Sequence, residues 1–143
     1  MNVSKQGLEF IKSFEGCKLS AYLCSAKVPT IGYGHTDGVY LGQTVTQEKA
    51  DELLKSDLVR FEAIVTKLLK VKTSQSQYDA LVSFAFNCGE GNLAKSTLLK
   101  LVNEGKHKDA GAQFLRWNKA AGVVVAGLTR RRQAEKELFE GLS

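Results

Sequence analysis

Apolar residues at Leu8, Ile11 and Phe14 recur at the spacing of one helix face. Ser4 stands where an N-cap belongs, and Gly16 marks the end of the segment. From Lys18 to Gly42 the texture changes. Pro29, Gly32, Gly34, Gly38 and Gly42 punctuate short stretches rich in β-branched and aromatic residues, such as "VPTIGY". That alternation predicts a small antiparallel sheet with tight turns. Helical spacing then returns and persists. Thr46 opens a segment whose stripe of Leu53, Leu54, Leu58, Phe61, Ile64, Val65 and Leu68 predicts one long helix to about Leu69.

Beyond it, Ser74 and Gln77 have the spacing of a capping box. Tyr78, Leu81, Val82 and Phe84 then predict a buried helix that ends near Cys88 and Gly89. A short helix over about Ser96 to Val102 stops at Gly105, and another is expected over about Lys108 to Lys119. Gly122 to Gly127 reads as a loop, and Thr129 as the cap of a last helix, "RRRQAEKELFEG". Helices dominate, with one β element near the start, so the expected class is α+β.

The chain has 143 residues, which suits one compact domain or two small lobes sharing a core. Its 43% apolar content supplies that core, and a single proline and the lack of low-complexity runs exclude a linker or disordered protein. The net charge of +5 favours an anionic partner, without choosing among nucleic acid, acidic polysaccharide and a membrane face. Three cysteines, an odd number, argue against a secreted disulfide framework. The start "MNVSKQGLEFIKSFEG" has no long apolar run, so neither a signal peptide nor a membrane anchor is expected there.

Chemistry concentrates in the stretch "FEGCKLSAYLCSAKVPTIGYGHT". Glu15 falls where the first helix ends, on the unfavourable side of its dipole for an acid, and Phe14, Leu19 and Tyr22 adjoin it. Such a placement suits a proton donor. No set of Cys and His has zinc-ligand spacing, and "GYGHTDG" lacks the Lys and Ser/Thr of a phosphate-binding loop. Trp117 is read equally as a sugar-stacking or a core residue. Cys88 is expected in the core and His107 in a solvated turn. The run "TRRRQAEKE" could contact phosphates, but Glu135, Glu137 and Glu140 share it and no DNA-reading module surrounds it.

The stretch "FEGCKLSAY…PTIGYGHTDG" resembles the N-terminal motif of the phage lysozymes, glycoside hydrolase family 24. The resemblance continues through "VTQEKADELLKSDL", "QYDALVSFAFNCGEGNLAKSTLLKLVNEG" and "FLRWNKAAG…GLTRRRQAEKELF", across nearly the whole chain. It implies a lysozyme-like fold: a β-containing lobe at about 14–45, a connecting helix at about 46–70 and a helical lobe at about 71–143, with the substrate cleft between the lobes. It also implies hydrolysis of the β-1,4 bond between N-acetylmuramic acid and N-acetylglucosamine in bacterial peptidoglycan, for host-cell lysis. The alternatives are a catalytically weak or dead wall-binding homologue and a lytic transglycosylase.

By the same resemblance Glu15 matches the general acid and Thr30 the hydroxyl beside the attacking water. Cys24 stands where the family has Asp. The expectation is that Cys24 replaces that acid, as nucleophile or as base. His35 and Thr36 are expected at the substrate-facing wall of the first lobe, His35 chiefly as a brace. Apart from the resemblance, Gln113, one helical turn before Trp117, is read as a contact for a glycan amide. One of Arg130, Arg131 and Arg132 is expected to steady the acid. A disulfide between Cys17 and Cys24 would silence the thiol if their Cα atoms came within reach. The expected protein is a monomer that needs no metal or cofactor, binds no nucleic acid and does not insert into membranes. It would accumulate in the host cytoplasm until a holin releases it to the wall.

Overall fold

The computed structural model describes residues 1–141. The chain forms two compact units: Leu8–Arg60, and Met1–Gly7 together with the chain from Phe61 onward. The architecture is α+β, as the alternation of periods predicts. Seven α-helices and two small two-stranded antiparallel sheets are present among the described residues.

In the first unit, helix α1 (Lys5–Glu15) is followed by strands β1 (Lys18–Leu23) and β2 (Pro29–Gly32), and then by helix α2 (Gln47–Leu68). Both helices continue into the second unit. The strands pair with Tyr22 opposite Thr30 and Leu23 opposite Pro29, and the register slips between Lys18 and Tyr22. Gly16 takes φ +65°, a left-handed conformation that lets the chain leave α1 and enter β1 at once. Ile11, Ile31, Ala50, Leu54 and Leu58 are buried and form the core of this unit. The Thr46 hydroxyl accepts from the Lys49 N–H at 3.1 Å and so caps α2.

The second unit holds α3 (Gln75–Cys88), α4 (Glu90–Ala94), α5 (Thr97–Asn103), α6 (His107–Gln113), β3 (Lys119–Ala120), β4 (Val123–Val124) and α7 (Ala126–Phe139). Helix α3 is its centre: Tyr78 through Ala85 are all buried. Ser74 and Gln77 close the expected capping box. Phe84 meets Phe114 and Trp117 edge-on, with ring centroids 5.8 and 5.4 Å apart. The Ser4 cap also holds, since its hydroxyl accepts from the Gly7 N–H at 3.0 Å. Asp79 in turn accepts from the Ser4 hydroxyl and from the Ser4 N–H.

Several boundaries differ from the expected ones. The helix expected over Lys108 to Lys119 runs only His107–Gln113, continues as a 3₁₀ turn at Phe114–Arg116, and gives way to β3. The expected loop at Gly122 to Gly127 contains β4, joined to β3 by a turn with Ala121 at φ 51° and Gly122 at φ 80°. Thr129 does not cap the last helix. α7 begins at Ala126, and the Thr129 N–H already donates to the Val125 carbonyl.

Candidate active site

Glu15 is the last residue of α1 and is half-buried. Phe14, Leu19 and Tyr22 do not enclose it in an apolar pocket. They are 37%, 42% and 39% exposed, Phe14 at the end of α1 and Leu19 and Tyr22 on β1, which presents most of its side chains to solvent. Cys24 directly follows β1, and the loop 24–28 turns the chain into β2. There the Cys24 N–H donates to the Val28 carbonyl at 3.1 Å, and the Lys27 N–H donates to the Cys24 carbonyl at 2.8 Å. Lys27 sits at φ 60° to complete the turn.

The Val28 N–H, the Ala26 N–H and the Thr30 hydroxyl, in that order, hold the Cys24 thiol below its ordinary range, and partial desolvation opposes them. Thr30 is almost wholly covered, at 3% exposure. Its hydroxyl also lies 2.8 Å from the Val28 carbonyl. A hydroxyl has one hydrogen to give. The carbonyl takes it while the thiol is protonated, and a thiolate is the stronger acceptor once formed.

His35 is hydrogen-bonded through both ring nitrogens, as the brace reading expects. Its Nδ1 lies 3.0 and 2.9 Å from the two carboxylate oxygens of Asp57, and its Nε2 lies 2.9 Å from the Asp37 carbonyl oxygen. Both ring nitrogens are thus committed within the unit, and His35 braces the segment after β2 against α2. Thr36 is exposed beside it. Gln113 closes α6 in the other unit and is half-buried.

Cys17 and Cys24 flank opposite ends of β1, and both are free thiols. Six residues of extended strand hold them well beyond the Cα separation of about 7 Å that a disulfide allows. The bridge cannot form while β1 is intact.

In the second unit, sequence reasoning misplaced a buried charge cluster. Glu135 is fully buried, with its Oε1 2.6 Å from Arg132 Nε and its Oε2 3.3 Å from Arg131 Nε. The Ser83 hydroxyl donates to Oε2 at 2.5 Å. Arg132 Nε and Glu135 Oε1 are close enough to attract yet angled so that neither completes a hydrogen bond. Burial pushes the Glu135 carboxyl up, and Arg132 and Arg131 oppose it. With Arg131 and Arg132 buried, the arginine run is no cationic surface. Cys88, expected in the core, is a half-buried thiol that accepts from Arg132 Nη1 at 2.6 Å. His107, expected in a solvated turn, is half-buried with its ring 6.2 Å from Phe139. Trp117 packs on Phe84, which favours its core role.

No group of three or more His, Cys, Asp and Glu side chains among the described residues could hold a metal ion. No helix among them is long and apolar enough to cross a membrane.

The family model described as phage lysozyme matches residues 12–135. The chain belongs to the phage lysozyme family. It is 49% identical over 142 residues to an endolysin of Bacillus phage B103, covering 97% of this chain and 54% of that one. It is 43% identical over 144 residues to the endolysin of Salmonella phage P22, covering 97% and 98% of the two chains. Among solved structures, the muramidase domain of SpmX from Asticaccaulis excentricus superposes with a TM-score of 0.92 at 41% identity, covering 96% of this chain and 97% of that one. The chain thus spans about half the length of the B103 relative and nearly all of the P22 one. The expected lysozyme-like fold and lysozyme-type hydrolase class are met at the level of the family.

Proposed function

We propose that this phage lysozyme hydrolyses the β-1,4 bond between N-acetylmuramic acid and N-acetylglucosamine in peptidoglycan, with Cys24 in the place of the family's Asp. The observation that carries the reading is the place of Cys24, directly after β1 in a turn whose polar groups hold its thiol below the ordinary range. A position that needs an anion at neutral pH has a thiol whose anion is stabilised by two backbone N–H groups and the Thr30 hydroxyl.

In this mechanism Glu15 donates its proton to the glycosidic oxygen as the C–O bond breaks, and positive charge develops on the sugar ring. The Cys24 thiolate then has two chemically complete courses. It takes a proton from a water that attacks the anomeric carbon, which inverts that carbon. Or it attacks the carbon itself, and water later displaces it with Glu15 as base, which retains the configuration. Thr30 is a positioning residue in both, because it acts on the sulfur. Thr36 remains a candidate contact for the glycan on the exposed segment after β2, and Gln113 is proposed as a polar contact from its own unit.

In the cell, release to the wall by a holin and action as a monomer fit this reading. The net charge of +5 favours dwelling on anionic walls.

Reducing-sugar release from purified peptidoglycan tests the assignment. Cys24→Asp retains much of the parent rate, and Cys24→Ser lowers it by about a hundredfold or more, because a hydroxyl is not ionised at neutral pH. Cleavage by Cys24→Ser at the parent rate removes sulfur from the mechanism. Products ending in an anhydro sugar would identify a lytic transglycosylase instead.

A further inference from the structure

In the second unit, a cavity of about 370 Å³ opens between the end of α2 and the segment from α4 to α5. Three of its lining side chains are Lys70, Lys95 and Lys100, and none is acidic. Among the described residues these lysines are in no ion pair, whereas Lys106 nearby is paired with Glu104 at 3.5 Å. The wall that carries Lys70 is fixed: Asn103 Oδ1 accepts from the Lys70 N–H at 2.8 Å, and its Nδ2 donates to the Leu68 carbonyl at 3.1 Å.

The surroundings reinforce the positive field. Seven lysines lie between residues 61 and 108, against four acids. Of those acids Asp79 is buried, and Glu62 accepts from the Val3 N–H at 2.6 Å. Three unpaired lysines on one cavity, with no acid among its lining, present a positive field to an anion.

The kind of anion follows from the lining. Lysines are point charges that suit a tetrahedral phosphate, whereas planar carboxylates favour the fork of an arginine, and no arginine lines the cavity. Thr97 adds a hydroxyl at the rim. Leu68 and Leu99 supply apolar surface of the kind that packs against the C–H face of a sugar ring. The volume falls at the small end of the range for ligand sites.

We propose that this cavity binds a sugar phosphate of a phosphodiester-linked glycopolymer attached to the bacterial wall, and so tethers the enzyme near its substrate. The proposal rests on the reading that the chain works on bacterial walls. It adds a binding site to that reading and leaves the roles of Glu15, Cys24 and Thr30 as they stand.

The test measures equilibrium binding and cleavage by the full chain on purified walls, before and after phosphodiester polymers are removed with hydrofluoric acid. The parent binds untreated walls about tenfold more tightly than stripped ones, the sum expected of two or three exposed charge pairs. The Lys95→Gln/Lys100→Gln variant binds both wall types at the weaker level. A Lys5→Gln/Lys108→Gln variant of the same net charge, with both changes outside the cavity, retains the parent's preference. Equal binding by the parent and the Lys95→Gln/Lys100→Gln variant overturns the site. So does an equal loss in the control, which would make the effect one of net charge. Tighter binding to phosphatidylglycerol vesicles than to untreated walls, lost in the Lys95→Gln/Lys100→Gln variant, overturns the wall polymer in favour of a lipid headgroup. Cleavage of stripped walls is read separately. If the parent does not cleave them, the proposed hydrolysis fails whatever the binding shows.

Discussion

The Thr30 hydroxyl donates to the Val28 carbonyl oxygen at 2.8 Å, at the end of the hairpin that carries Cys24, and it also helps hold the Cys24 thiol below its ordinary range. Its single hydrogen links the ionisation of the thiol to the shape of the turn. Removing the hydroxyl withdraws a donor from the thiolate, so the Cys24 thiol titrates at higher pH. Since the proposed mechanism uses the thiolate, activity rises as Cys24 loses its proton. Thr30→Val therefore moves the rising limb of the pH–rate profile to higher pH, and Thr30→Ser restores it. A profile that keeps its position while its height falls would give Thr30 a purely structural role.

Cys17 and Cys24 stand at the two ends of β1, and the strand keeps them apart. In air-equilibrated buffer the folded protein, denatured only for the assay, titrates with three free thiols per chain. Cys17→Ser cleaves peptidoglycan at the parent rate. A count of one thiol, restored to three by reductant, would mean that β1 opens readily enough for the bridge to close.

Glu135 has two guanidinium groups as its neighbours and no access to water. Glu135→Gln keeps the volume and removes the carboxylate charge that faces both arginines. Removing one partner of such a buried cluster costs about 3–5 kcal/mol. Thermal unfolding should show a drop of about 10–15 °C for a chain of this size. A change of one or two degrees would mean that water or a rearranged side chain compensates.

Gly7 lies against Asp79, and a Cβ built at Gly7 would lie 2.5 Å from the Asp79 Cγ. Alanine in a helix gains up to about 1 kcal/mol over glycine. Overpacking costs about 1–3 kcal/mol. It would also displace the carboxylate that accepts from the Ser4 N–H and from Gln75 Nε2. The clash outweighs the propensity, so Gly7→Ala lowers the midpoint of urea unfolding. A raised midpoint would show that Asp79 moves aside at little cost.

What could be read from the sequence was local. Ser4, Thr46 and Ser74 announce helix starts because each cap is a bond between a side chain and a backbone N–H three residues on. The stripe from Leu53 to Leu68 announces α2 because it repeats long enough to define a period. The β3–β4 hairpin carries no such signal, since two-residue strands have no alternation to detect. Its turn also places Ala121 in a left-handed conformation that alanine seldom adopts. Helix α7 concealed its inner face by composition. Arg131, Arg132, Glu135, Leu138 and Phe139 recur at helical spacing and are all buried, but three of them are charged and read as a solvated run.

The site divided along the same line. Glu15 and Cys24 were visible as residue types in a familiar motif. The donors around the sulfur were not, because main-chain N–H groups have no letter in a sequence. Nor could the sequence show that Asp57, twenty-two positions away, takes the imidazole of His35.

The loop at 24–28 therefore has an uneven tolerance to change. Two of its contributions to the thiol come from peptide groups that every residue except proline possesses. Ser25 and Ala26 can drift in identity with little chemical consequence, while a proline at Ala26 or Val28 silences a donor outright. Lys27 is constrained by backbone shape alone, and glycine or asparagine would serve there as well.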